Sequence, residues 1–153
     1  MILSEEDSDL IWRAIVAAGA GHSARAAELT AKLTLQNTDL FSVISGVAEF
    51  GARAVCALNC DSNVPAPPGG PWTIDHIRPH VTAEAPDPAL DFAEQFLAAH
   101  CAGDEPVAEG LYVAMRCLGD RHAVRSLAHL MYLVAEATKT AMAHHMAAGG
   151  RPA

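Results

Sequence analysis

Bulky side chains are scarce in this chain. Its 153 residues include only four Phe, two Tyr and two Trp, although 51% are apolar. Alanine makes up much of the difference; it is the best helix former and a poor space-filler. Closely packed helices with thin side-chain layers are expected, and a sheet is not. Runs of Val, Ile, Thr and aromatic residues, the usual material of strands, are nearly missing; WTIDHI and VTAE around His80 are the nearest approaches. No uninterrupted apolar run approaches the ~18–20 residues needed to span a bilayer. The first residues, MILSEEDSD, are acidic where a signal peptide would be basic. The expectation is a cytoplasmic protein with no membrane role.

Basic charge is also thin. The net charge is −8, with eight Arg and two Lys. Residues 1–115 hold 5 basic and 16 acidic side chains, a balance of −11, and residues 116–153 hold 5 and 2, a balance of +3. Neither part carries the dense basic stripe that phosphate neutralisation needs, so nucleic acid is disfavoured as a partner. Several catalytic signatures are missing as well. There is no G-x-S-x-G, no phosphate-cradling G-x-x-x-x-G-K-[ST], no G-x-G-x-x-G and no H-E-x-x-H.

What is present reads as helix. Ser4, followed by Glu5, Glu6 and Asp7, caps a first helix that Gly19-Ala20-Gly21 stops. Ser23 caps a second, to about Leu33, and Asn37 or Thr38 a third, to about Asn59. Asp87-Pro88 opens a fourth to about Ala102, Asp104 to Pro106 a fifth that Gly119 ends, and Asp120 a long sixth to about Ala147. Seven of the nine prolines fall between Pro65 and Pro88, within or beside an irregular segment from about 61 to 86. The expected fold is all-α: an antiparallel bundle of about six helices in one domain over 1–148, with one Pro/Gly-rich loop and a flexible tail over 149–153. A length near 150 residues is ample for one core.

Four cysteines in a reducing compartment read as packing, metal ligands or reactive thiols before disulfides. Cys56 and Cys60, with His76 and His80, give C-x3-C, fifteen residues, H-x3-H. That lies close to the spacing of Cys2His2 zinc sites. It places the cysteines on a helix and the histidines on a loop, the reverse of a zinc finger. Pro79 also keeps His76 and His80 from sharing an ordinary mid-helix turn. On a helical wheel, Leu40, Ile44, Val47, Gly51, Val55 and Leu58 of the third helix gather on one side. Cys56 and Cys60 fall on the other, with Ser42, Ser45, Glu49 and Arg53. Both thiols are therefore expected to point away from the interior and towards the proline-rich segment. A zinc bound there would be structural, since four protein ligands leave no open position.

In the last helix, His129 falls opposite the apolar face, where solvation is expected, while His145 falls on the core side but near a fraying end; in the fourth, His100 joins the face of Phe92 and Phe96 as a satisfied packing histidine. Arg116 and His122 are separated by CLGDR. This resembles the R-x4-6-H motif of the HEPN ribonucleases, helical domains of similar length that cleave RNA without metal. The resemblance implies His122 as acid/base and Arg116 as phosphate stabiliser. It covers seven residues, and Cys117 stands where that family favours a polar side chain. The leading expectation is instead a non-enzymatic helical interaction or regulatory module that binds a protein partner or itself as a homodimer. It needs no cofactor, unless a structural zinc stabilises it.

Overall fold

The computed structural model describes residues 3–36, 39–61, 63–77 and 87–149. Among them there is no strand, and the all-α expectation holds. The helices are α1 (Glu5–Gly19), α2 (Ser23–Gln36), α3 (Leu40–Cys60), α4 (Ile74–Ile77), α5 (Pro88–Ala102), α6 (Glu105–Arg116) and α7 (Asp120–Gly149). Six of these are the expected ones. The seventh, α4, is a single turn inside the segment expected to be irregular.

Local chemistry fixes the starts. Ser4 Oγ accepts the Asp7 N–H at 3.0 Å, and Asp87 Oδ1 accepts that of Ala89 at 3.0 Å ahead of α5, with Pro88 in its first turn. Gly103 ends α5 in the left-handed region at φ 69°, where an added Cβ would be strained.

Packing centres on α3 and α7. α3 buries Val43, Ile44, Val47, Ala48, Gly51, Ala54, Val55 and Leu58, one continuous stripe against α1, α5 and α7. α7, 30 residues long, contributes Leu127, Leu130, Met131 and Val134 to the same core. Phe96 of α5 is fully buried; it stacks on Phe92 and meets Phe41 edge-on. α2 packs chiefly on α1, and α6 chiefly on α5.

By length and composition α3 could cross a membrane, although Glu49 and Arg53 interrupt its apolar run. Here it is the central helix of the bundle. A second, smaller cluster joins the end of α3 to the segment that follows: Val55, Leu58, Val64, Ile77 and Ala137, with Trp72 packed against them.

Candidate functional site

The last two turns of α3 carry the thiols where the wheel places them. Cys56 and Cys60 are both exposed, on the side opposite the buried stripe, and their sulfurs lie 3.2 Å apart. The Cys60 thiol is pushed above its ordinary value by its hydrogen bond with Cys56 and then by the charge Cys56 carries once ionised. Across from them, α5 brings Cys101, a thiol raised mainly by burial and further by Cys56. All three line an open groove of about 660 Å³ whose walls include Trp72, Asp75 and Glu94.

The segment after α3 is tied to this helix end by one side chain. Asn59 Oδ1 accepts the Trp72 N–H at 2.7 Å, and Asn59 Nδ2 donates to the Trp72 carbonyl at 3.0 Å. The Trp72 ring meets His144 of α7 edge-on at 4.8 Å, while its Nε1 is buried without a partner.

His76 does not join the cysteines. Its Nδ1 accepts the Thr73 N–H at 3.0 Å, and its Nε2 lies 3.4 Å from the Pro68 carbonyl, so both ring nitrogens serve the turn they sit on. Among the described residues, no three His, Cys, Asp or Glu side chains converge to hold a metal ion. His80 lies outside the described residues.

Arg116 and His122 stand on either side of the α6–α7 junction. The Arg116 guanidinium pairs with Asp120 at 3.2 Å and lines a groove between α2 and α7, to which His122 does not contribute. His122 makes no hydrogen bond or ion pair within the described residues. His129, expected to be solvated, binds instead: its Nε2 lies 3.1 Å from Asp87 Oδ2, which also receives Arg125 at 3.1 Å. The expectation for His145 fails too, since it is exposed and sits 3.4 Å from Asp61. His100 packs on Phe96 at 4.8 Å as expected, but it is not satisfied, since its Nε2 is buried without a partner among the described residues; burial lowers its pKa.

The groove between α2 and α7 is the larger feature, about 770 Å³. It exists because the facing side chains are short: Ala27 and Ala31 on α2, Ala123 and Ala128 on α7. Its floor is apolar, with Leu127 and Met131 beneath, and Leu35 and Val124 stand on its rim at 87% and 67% exposure. A Tyr132 hydroxyl donating to Ser23 Oγ at 2.8 Å bridges the two helices.

Sequence reasoning missed this groove, since the wheel treats each helix alone. It also missed Asn59, Trp72 and Cys101 as companions of the thiol pair. A tryptophan in a proline-rich segment was the available signal, because so large a ring seldom stays out of the core. Compared with protein-family models, curated proteins and solved structures, the chain matches none.

Proposed function

We propose that this protein is a non-enzymatic helical interaction module that self-associates, with the groove between α2 and α7 receiving a helix of a second copy. The supporting observation is an apolar channel of about 770 Å³ flanked by Leu35 and Val124, two large side chains left in water. Burying them recovers roughly 1.5–3 kcal/mol each at full burial.

The chain also carries a complementary face. α6 buries only Ala108 and Met115; Val107 and Val113 project outwards, and nothing lies within 4 Å of where Gly110 would place a Cβ, so a partner can approach closely there. Charge agrees with this pairing. Glu109 on α6 and Arg121 on α7 are both exposed and unpaired among the described residues, and the acidic first 115 residues precede a basic remainder. Two copies related by a twofold axis would set α6 of each into the groove of the other, an isologous arrangement that closes on itself.

Sedimentation equilibrium tests this. The wild type should dimerise in the micromolar range. Val124→Glu and Leu35→Glu, both at exposed sites the fold does not need, should each weaken the dimer at least about tenfold, the equivalent of ~1.4 kcal/mol. A wild type that stays monomeric, or a dimer indifferent to both substitutions, would overturn the proposal.

A further inference from the structure

The thiol pair at the end of α3 takes no part in the self-association argument, and its geometry has an internal mismatch. Residues four apart in an unbroken helix hold their Cβ atoms ~5–6 Å apart. A disulfide needs about 3.5–4.5 Å. The sulfurs of Cys56 and Cys60 have nevertheless converged to 3.2 Å, both accessible to solvent. Joining them requires the backbone to give, and the two ends are not equally free. Cys56 is inside α3, whereas Cys60 is its last residue and is followed by Asp61 in an extended conformation.

The residue that must move with Cys60 is Asn59, whose amide makes both hydrogen bonds to the Trp72 backbone. Trp72 packs against the second cluster with its Nε1 buried and without a partner among the described residues, so release gives up apolar contact but frees that N–H for solvent.

We propose that Cys56 and Cys60 form an oxidative modification site, at which hydrogen peroxide converts the pair to a disulfide and thereby releases the Trp72 segment from the end of α3. The Cys56 thiolate attacks a peroxide oxygen and the O–O bond breaks; the departing hydroxide takes a proton and leaves as water, with Cys56 as a sulfenic acid. The Cys60 sulfur then attacks the Cys56 sulfur, the S–O bond breaks, and the Cys60 proton goes to the leaving hydroxide as a second water. The two sulfurs lose two electrons and the peroxide gains them. The two thiols share one hydrogen bond that either sulfur can donate, so the roles of Cys56 and Cys60 can exchange. Forming the bond draws the last turn of α3 inwards, and Asn59 loses its register with Trp72.

Hydrogen peroxide is the probe. The oxidised protein should lose two hydrogens in mass and two of its four free thiols. In a Trp12→Phe background, Trp72 emission should shift to the red and return on adding dithiothreitol. In the unsubstituted protein, hydrogen exchange at the Trp72 amide should accelerate at least about tenfold, a measure that survives if Trp12→Phe folds poorly. Cys101→Ser should behave as wild type, and Cys60→Ser should stop at the sulfenic acid with Trp72 unmoved. Pairing through Cys101 or between molecules, no loss of hydrogens, or a Cys56–Cys60 disulfide that leaves Trp72 emission and exchange unchanged would each overturn the proposal.

Discussion

Two glycines show how much a single position depends on its neighbours. A Cβ on Gly51 would lie 2.8 Å from both Leu97 Cδ1 and Val134 Cγ2, where α3 meets α5 and α7. A Cβ on Gly110 would meet nothing within 4 Å. Gly→Ala in a helix interior gains up to about 1 kcal/mol, and overpacking a tight core costs about 1–3 kcal/mol. Gly51→Ala should therefore lower stability by about 1 kcal/mol, and Gly110→Ala should raise the monomer's by about 0.5 kcal/mol. Urea midpoints in dilute protein would show the opposite signs. Gly51 was already legible on the apolar stripe of the wheel, since it shares the phase of Val47 and Val55. His129 was not, because the carboxylate that holds it comes from Asp87, far away in the chain. Wheels sort residues by direction; they say nothing of what another element brings to the same spot.

Among the elements, α5 depends most on a carboxylate at its start. Burial pushes the Asp87 pKa up, but the Ala89 N–H and the charges of Arg125 and His129 outweigh it, and the group lies below its ordinary 3.8. Asp61 is lowered as well, first by the Asn63 N–H and, against a smaller effect of burial, by His145. A depressed folded-state value means that the unfolded chain takes up protons first on acidification. The stabilisation is thus complete above the unfolded value and is lost as pH falls through the folded one. Urea midpoints should therefore fall below about pH 4 through these two carboxylates, after an earlier and separate decline as pH drops through the imidazole range, where the lowered His100 favours the unfolded chain. Asp87→Asn should start lower at pH 7 and decline less steeply; an acid limb identical to wild type would contradict the role given to Asp87.

Helix starts were readable where one or two side chains serve the adjacent backbone, as at Ser4, Asp87 and Asp104. α3 is instead capped by Asp39; the expected Asn37 and Thr38 lie outside the described residues, and Ser23 is the first residue of α2. The turn Ile74–Ile77 was hidden, since its only buried residue, Ile77, finds its place against α3 and α7 and not through any local pattern.

For the molecule as a whole, alanine sets the terms. Short side chains let α3, α5 and α7 come together with Phe96 as the largest fully buried group. Phe96→Ala should cost about 3–5 kcal/mol, a large share of the ~5–15 kcal/mol that holds a domain together; a loss under about 1 kcal/mol in a urea titration would mean the core collapses around the gap. Those same short side chains leave the space between α2 and α7 unfilled. The composition made thin layers foreseeable, yet which pair of helices would stand apart depends on the angle at which α2 leaves α1, and no residue pattern in either helix records that angle.

α7 closes the core against α1, α3 and α5 at once, yet it follows all of them in the chain. A ribosome has therefore released α1 to α6 before the helix that covers their apolar sides emerges. Until then the nascent protein shows water a surface resembling a chaperone's substrate, and a premature stop near Gly119 would leave it in that state.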